Sequence, residues 1–176
     1  MEFLQITSTE DYRVKEIFEA YCKTFPEDER RDWNKLSPLF QHPKVKIISV
    51  LHEAKNVGYL IIWELSHFAF VEHFEVFEEF RSQKLGSHIT NYLFENYPRI
   101  VLEIEHGHLT EDTKRRYSFY QKNGFSLIDE MYVQPSYGEG KNPLNLWLLA
   151  NYQPENLKEV KEEIYDIVYH WFNSQK

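Results

Sequence analysis

The stretch from Phe70 to Val101 constrains the fold more strongly than any other part of the chain. An apolar-rich strand over residues 70–76 runs through a short acidic turn into a polar loop, and the loop opens an amphipathic helix. The first N–H groups of a helix lack partners within the helix and lie at the positive end of its dipole. A strand that delivers such a helix start predicts an anion-binding site, formed here by Arg81, Ser82, Gln83, Lys84, Leu85, Gly86 and Ser87.

Composition limits the classes of protein to which the chain can belong. Its 176 residues suit one domain, or one domain with an appendage, and an apolar share of 42% excludes a disordered chain. The formal net charge of −8 argues against a nucleic-acid partner, because phosphate binding needs clustered Lys and Arg. No stretch approaches the ~20 apolar residues of a membrane span and no signal peptide opens the chain, so we expect a cytoplasmic protein without a membrane partner.

Strand and helix patterns alternate along the chain in a definite order. They predict β-α-α-β-β-β-α-β-α-β-β followed by a C-terminal helix, which indicates an α/β fold with a mixed sheet and helices on both faces. We assign residues 1–152 to one domain and residues 153–176 to the C-terminal helix. Its apolar stripe needs cover, either from its own domain or from a partner subunit in a homodimer, and consists of Leu157, Val160, Ile164, Ile167, Val168 and Trp171.

Three segments, in this element order, carry a resemblance to a known family. The loop from Arg81 to Gly86 is similar to a Q/R-x-x-G-x-G/A motif, and in the next helix three residues separate Tyr120 from the pair Gly124-Phe125. The segment 25–31, FPEDERR, is similar to a stretch between the first two helices of some bacterial members. Over residues 1–152 the chain therefore resembles the GCN5-related N-acetyltransferases (GNAT).

The resemblance implies a mixed, mostly antiparallel sheet and an N-acetyltransferase that uses acetyl-CoA as co-substrate and no metal. In that family the pyrophosphate binds the loop and first helical turn, and the pantetheine arm lies along the fourth strand. The expected cofactor contacts are therefore residues 81–87 and Tyr120, with the strand residues Phe74, Glu75 and Val76. The implied acceptor is a primary amine of a small molecule or a peptide.

One departure concerns the loop, where Lys84 replaces the first glycine of the motif and Ser82 stands where many members have another. Glycine lets backbone approach phosphate without a side chain in the way. Because a left-handed conformation costs a non-glycine residue about 1–2 kcal/mol, we expect a right-handed turn at Lys84. The departure keeps a rival interpretation open, namely a weak or inactive CoA-binding or interaction protein with this fold.

Attack by an amine requires a base, since an alkylammonium has a pKa near ~10.4. Glu72 is the first candidate, because simple strand alternation places it on the same side as Phe74 and Val76, opposite His73 and Glu75. Its alternative role is a buried, paired structural carboxylate. Glu103, on the next strand along the chain, is the reserve candidate for the base.

Tyr120 occupies the position that acts as general acid for the leaving thiolate in many members of the resembled family. Its alternative role is a core tyrosine on an amphipathic helix. The resemblance also places Glu29, Arg30 and Glu103 beside the acceptor, although Glu29 and Arg30 equally suit a solvated helix start. His106 and His108 flank a glycine but have no second ligand pair at zinc spacing, so we expect no metal site.

Overall fold

A seven-stranded mixed sheet runs through residues 1–170, the part of the chain that the computed structural model describes. The spatial strand order is β1-β2-β3-β4-β5-β7-β6. Every neighbouring pair is antiparallel except β4 and β5, which are parallel. This arrangement confirms the predicted fold class and element order. The strands are β1 (Glu2–Ile6), β2 (Val45–His52), β3 (Lys55–Glu64), β4 (Ala69–Val76), β5 (Ile100–Ile104), β6 (Ser126–Gln134) and β7 (Leu144–Ala150).

Helices cover both faces of the sheet. One face, named here the α3–α4 face, packs under the apolar stripes of the third and fourth helices, which include Ile89, Leu93 and Tyr120. The opposite face, named the α1–α5 face, packs under Ile17 and Tyr21 of the first helix and under the C-terminal segment. None of the helices in residues 1–170 is long and apolar enough to cross a membrane. The helices are α1 (Arg13–Thr24), α2 (Trp33–Leu36), α3 (Leu85–Asn96), α4 (Glu111–Lys122) and α5 (Leu157–Glu163).

The C-terminal segment packs on the sheet of its own chain. Helix α5 continues into a π-helical turn, Ile164–Tyr169, in which the His170 N–H donates to the Tyr165 carbonyl at 2.9 Å. The predicted stripe is buried or partly buried at its first five positions, but its sixth position, residue 171, lies outside the described residues. The π turn also buries Tyr169, which the predicted stripe did not include.

Strands β4 and β5 separate after three paired positions. Ala69 pairs with Ile100, and the last pair joins Val71 to Leu102. Both strands continue beyond that pair, β4 to Val76 and β5 to Ile104, without pairing to each other. The opening is named here the β4–β5 gap. It leaves the facing edges of the two strands available to an extended ligand.

A β-bulge lies in β4 at the mouth of the β4–β5 gap. Ile62 pairs with Val71 and Ile61 pairs with His73, so Glu72 has no partner on β3. A bulge inserts one extra residue into a strand and breaks the alternation of its side chains. Two successive side chains of β4 therefore point to one face of the sheet.

The bulge overturns the predicted side-chain alternation. His73 packs edge-on against Tyr21 of α1, with ring centroids 4.8 Å apart, and Glu72 lies on this same α1–α5 face. Phe74 packs on the other face against Tyr120 of α4, at 6.3 Å. The prediction that Glu72 shares a face with Phe74 is therefore wrong, because it assumed an unbroken strand.

A two-residue turn joins β2 to β3. His52 pairs with Lys55, and the residues between them, Glu53 and Ala54, have φ of 50° and 62°. Positive φ at both central positions fits the twist of a tight hairpin, but it strains side chains that carry a Cβ.

Candidate active site

The loop after β4 adopts left-handed backbone at two of its residues. Ser82 has φ of 65°, and Lys84, the residue that caps α3, has φ of 61° and ψ of 8°. The prediction of a right-handed turn at Lys84 is therefore wrong. The chain enters α3 through the conformation that a glycine would adopt without cost, and each non-glycine residue held there costs about 1–2 kcal/mol.

The start of α3 is open to an anion. No side chain caps this helix, and its first turn is closed by the Ser87 N–H donating to the Lys84 carbonyl at 3.1 Å. The amides of Leu85 and Gly86 precede the first intrahelical bond and carry the positive end of the helix dipole. Arg81 is half-exposed beside them, with its Nε donating to the Val76 carbonyl at 3.1 Å.

Gly86 has a packing role as well. A Cβ built on this residue would lie 3.0 Å from the ring of Phe119, so the missing side chain lets α3 approach α4 closely. The motif glycine therefore sets the spacing of the two helices that cover the α3–α4 face. The roles of residues 81–87 in cofactor binding remain a prediction.

Tyr120 lies on α4, on the α3–α4 face. Its ring packs against Phe74 of β4 and against Phe119 and Phe125, and the side chain is buried. Its hydroxyl makes no hydrogen bond with another residue of the described chain. Burial raises the pKa of Tyr120 to about 12, so the hydroxyl keeps its proton at neutral pH and is able to donate it.

Glu72 is fully enclosed by hydrogen-bond donors. Arg31 Nε lies 2.8 Å from Oε1, the Tyr137 hydroxyl donates to the same oxygen at 2.9 Å, and Trp63 Nε1 donates to Oε2 at 2.5 Å. Burial opposes ionisation of Glu72, but the Arg31 charge and these hydrogen bonds outweigh it and lower the pKa of the carboxyl. Glu72 therefore has the environment of a paired structural carboxylate, which favours its alternative role over that of the base.

Arg31 connects its own segment, between α1 and α2, to three other parts of the fold. Besides the Glu72 contact, its Nη2 donates to the Val168 carbonyl at 2.8 Å and its backbone N–H donates to the Tyr21 hydroxyl at 2.7 Å. This role was not predicted from the sequence. The run of charges around residue 31 offers no signal that separates the buried arginine from Arg30, whose Nε donates to the nearby Phe25 carbonyl at 3.1 Å.

Glu103 is the first β5 residue beyond the last pair with β4. Its side chain lies on the α1–α5 face, where Oε1 accepts a hydrogen bond from the Tyr169 hydroxyl. The other oxygen, Oε2, is buried and has no hydrogen-bond partner within residues 1–170. Burial raises the pKa of the Glu103 carboxyl to about 8, against the Tyr169 hydrogen bond and the nearby Tyr132 hydroxyl, which lower it.

The two carboxylates at the mouth of the gap thus have opposite characters. Glu72 is ionised and saturated with donors, whereas burial raises the pKa of Glu103 to about 8, and its buried Oε2 has no hydrogen-bond partner within residues 1–170. A proton acceptor works best when its pKa lies near the working pH. Of the two, Glu103 has the properties of a general base.

The remaining predicted residues lie at the edges of this region. Glu29 lies near Glu105. Burial is the main cause that raises the pKa of the Glu29 carboxyl; the negative charge of Glu105 raises it further, and Arg116 lowers it. Glu75 points to the α1–α5 face, where Thr24 Oγ1 donates to its Oε1 at 2.5 Å, so only its backbone faces the gap edge of β4. The excess of acidic groups here favours a cationic ligand.

His106 and His108 belong to an aromatic cluster. The His106 ring stacks on Trp147 at 5.5 Å, and His108 packs against the same indole at 5.2 Å. Within the described residues, no group of three or more His, Cys, Asp or Glu side chains is arranged to hold a metal ion.

Several solved structures share this architecture. A GNAT-family acetyltransferase from Bacteroides thetaiotaomicron is 27% identical, with a TM-score of 0.87 over 96% of this chain and 98% of the other. An aminoglycoside 6′-N-acetyltransferase in complex with coenzyme A is 16% identical, with a TM-score of 0.63 over 89% of this chain and 100% of that one. The ribosomal-protein-S18-alanine N-acetyltransferase of Escherichia coli is 15% identical, with a TM-score of 0.59 over 89% and 97%.

Sequence comparison leads to the same family. No curated protein matches the chain. A family model described as the acetyltransferase (GNAT) family matches residues 13–125, which is more than half of the chain and includes β4, the loop and α4. The resemblance seen in the motifs is therefore confirmed, and the chain belongs to the GNAT family of acetyltransferases.

Proposed function

We propose that this acyltransferase moves an acetyl group from acetyl-CoA to a primary amine of a small molecule or a peptide. The observation that carries the proposal is the β4–β5 gap, with Tyr120 on one face of the sheet and Glu103 on the other. A thioester held in such an opening is accessible to a proton donor from one side and to an amine from the other. The aminoglycoside and ribosomal-protein relatives differ in acceptor, so the proposal stays at the level of the amine.

The residues at the start of α3 suit the diphosphate of acetyl-CoA. The uncapped amides and the helix dipole offer hydrogen bonds to an anion, and Arg81 and Lys84 add positive charge at exposed positions. Past Val71, the edge of β4 has no strand partner on the β5 side, so residues 74–76 are able to pair with the pantetheine arm as an added strand. A backbone N–H of this edge also suits the oxyanion of a tetrahedral intermediate.

Glu103 is proposed as the base. During transfer the amine nitrogen forms a bond to the acetyl carbon, and the amine loses a proton to the Glu103 carboxylate, directly or through water. With a pKa of about 8, the carboxyl is a stronger proton acceptor than an ordinary glutamate at the same pH. Glu72 holds the neighbouring structure through Arg31 instead.

Tyr120 is proposed as the acid. When the carbon–sulfur bond breaks, the thiolate takes the proton of the Tyr120 hydroxyl, which then recovers a proton from solvent. Burial keeps this hydroxyl protonated, and its place on the α3–α4 face separates it from the base. The donor and acceptor of protons thus lie on opposite sides of the same opening.

Acidic groups near Glu103 support a cationic acceptor. Glu29 and Glu105 lie close enough to repel one another, and Arg116 balances only part of this charge. An alkylammonium ion approaching this surface is attracted before it gives up its proton.

The proposal is tested by measuring thiol release from acetyl-CoA with polyamines, aminoglycosides, amino acids and peptide N-termini. We expect saturable heat of acetyl-CoA binding in calorimetry and turnover with at least one amine. Glu103→Gln should lower kcat about 100-fold or more with little change in acetyl-CoA affinity. Glu72→Gln should lower the melting temperature more than it lowers the rate per folded molecule.

Other outcomes separate the rival interpretation. Tight acetyl-CoA binding without turnover on any amine of the panel would favour a CoA-binding protein that has lost catalysis. No heat and no saturation would remove the cofactor assignment altogether. Full activity of Glu103→Gln would remove Glu103 from the reaction while leaving the acetyltransferase assignment intact.

A further inference from the structure

The C-terminal segment reaches the β4–β5 gap although it lies beyond the residues that the family model matches. Two contacts fix it on β6: Lys161 Nζ lies 2.7 Å from Asp129 Oδ2, and the Tyr165 hydroxyl donates to the Val133 carbonyl at 2.9 Å. The segment is therefore held in register with the sheet before it reaches Glu103. Its end is a built part of the site region and not a loosely packed tail.

Tyr169 and Tyr137 connect the two carboxylates of the gap. Its hydroxyl donates to Glu103, and its ring packs against Tyr137 at 5.1 Å, while the Tyr137 hydroxyl donates to Glu72. The side chain is only 4% exposed, so solvent does not compete for this hydrogen bond. Burial raises the pKa of Tyr169 well above its ordinary value, so the hydroxyl remains a donor throughout the pH range of an enzyme assay.

We propose that Tyr169 is a positioning residue for acetyl transfer: its hydroxyl holds Oε1 of Glu103 and leaves Oε2 to accept the proton of the amine. The inference rests on the proposed role of Glu103 as the base. A fixed donor on one oxygen limits rotation of the carboxylate and favours its charged form. The π turn supports this role, because it accompanies the inward placement of Tyr169 beside Val168.

The pH dependence of this device follows from the groups around Glu103. The tyrosines around Glu103 have raised pKa values and stay neutral at the pH of ordinary assays. The neighbours that can change charge in this range are therefore the Glu72 and Glu29 carboxylates. The groups facing Glu103 are Glu72 from β4, Glu29 from the turn before α2, Tyr132 from β6, Tyr137 from the β6–β7 connection, and Tyr165 and Tyr169 from the π turn.

The decisive variant is Tyr169→Phe in the full-length protein. Loss of the hydrogen bond should raise the pKa of Glu103, so the rate of the variant should fall most at low pH. If the pKa of Glu103 rises by about one unit, kcat should fall about tenfold at pH 6.5 and less than about twofold at pH 9.5. Tyr152→Phe is the control, because it removes a hydroxyl from a tyrosine just before α5 that packs against Arg99 and does not face Glu103; it should leave the profile unchanged.

A second measurement does not depend on activity. The Glu103 carboxyl is followed by carbon NMR titration of the free protein, with its signal assigned by its absence in Glu103→Gln. Tyr169→Phe should move this titration to higher pH. Replacement of Tyr169 by 3-fluorotyrosine, a stronger donor, should move it to lower pH and keeps the test available if the Phe variant does not fold.

The outcomes separate this proposal from the proposed function. Unchanged Glu103 titrations in both Tyr169 variants, together with an inactive Glu103→Gln enzyme, would overturn the role of Tyr169 alone. Full activity of Glu103→Gln would overturn the base assignment and this inference with it. Opposite shifts in the two Tyr169 variants, matched by the kcat profiles, would support it.

Discussion

Arg31 Nε lies 2.8 Å from Glu72 Oε1, and the two side chains are 1% and 0% exposed. A buried ion pair of this kind gives up hydration on both sides, and it persists only where further hydrogen bonds satisfy the remaining atoms. Here Trp63, Tyr137 and the Val168 carbonyl supply them. The pair therefore gives Glu72 the surroundings of a structural carboxylate.

Removal of one partner of this pair should strongly destabilise the protein. Arg31→Met leaves the Glu72 carboxylate buried without its counter-charge, and such a loss typically costs about 3–5 kcal/mol. The free energy of unfolding, measured by urea denaturation, checks this. Lys23→Met is the matched control, since the Lys23–Glu78 pair is exposed and screened by solvent, and its loss should leave the free energy of unfolding almost unchanged. Equal losses in the two variants would contradict a special role of burial.

Tyr120→Phe should reduce turnover without weakening the cofactor complex. The Phe ring preserves the packing against Phe74 and removes only the hydroxyl proposed as acid, so kcat should fall about tenfold or more. Steady-state rates and acetyl-CoA calorimetry measure the two effects separately. Tyr117→Phe, one turn earlier on α4, is the control, because Tyr117 packs edge-on against Trp147 and is assigned no step. An unchanged rate in Tyr120→Phe would exclude this hydroxyl as the proton donor.

Lys84→Gly should stabilise the fold. Relief of the left-handed backbone at Lys84 is worth about 1 kcal/mol, and Ala54→Gly should yield a similar gain at φ of 62°. Only the Lys84 variant should bind acetyl-CoA more weakly, by roughly threefold to fivefold, because it alone loses an exposed ammonium beside the start of α3. Unfolding curves and calorimetry on both variants test the comparison. Equal affinities would show that the Lys84 ammonium does not contribute to binding.

His73 should make the protein less stable in mild acid. Burial lowers the pKa of His73 to about 4. The negative charge of Glu72 raises this pKa, and the positive charge of Arg31 lowers it. The unfolded chain binds the proton near pH 6.5 and the folded chain only near pH 4, so stability is lost as the pH falls between these values. At about 1.4 kcal/mol per unit the loss approaches roughly 3 kcal/mol.

The variant His73→Phe tests that relation. It keeps an aromatic ring against Tyr21 and Phe25 but has no proton to bind. As the pH falls from 6.5 to 4, the free energy of unfolding should decrease more in the parent protein than in the variant. A constant difference over this interval would show that His73 does not titrate as described.

Much of the fold follows from regular patterns in the sequence. The spacing of Leu85, Ile89, Tyr92 and Leu93 predicts the apolar stripe of α3. The three aliphatic residues are in the core, and Tyr92 is partly buried against it. The element order also follows, because Gly, Pro and polar runs mark the ends of the strands and helices.

The parts that sequence reasoning missed depend on contacts between distant residues. The bulge at Glu72 exists only where β4 pairs with β3, and simple alternation does not reveal it. Lys84 adopts the conformation that the entry into α3 requires, even though its own preference is against it. Tyr169 was missed because a regular helical stripe does not include the additional residue of a π turn.

The Arg31–Val168 hydrogen bond joins positions 137 residues apart. During synthesis, Arg31 leaves the ribosome long before the carbonyl that completes its surroundings exists. Until residue 168 has been synthesised, the nascent amino-terminal portion therefore carries a charged side chain that it cannot bury in its final surroundings. A chain that stalls before residue 168 therefore lacks one of the anchors of its interior.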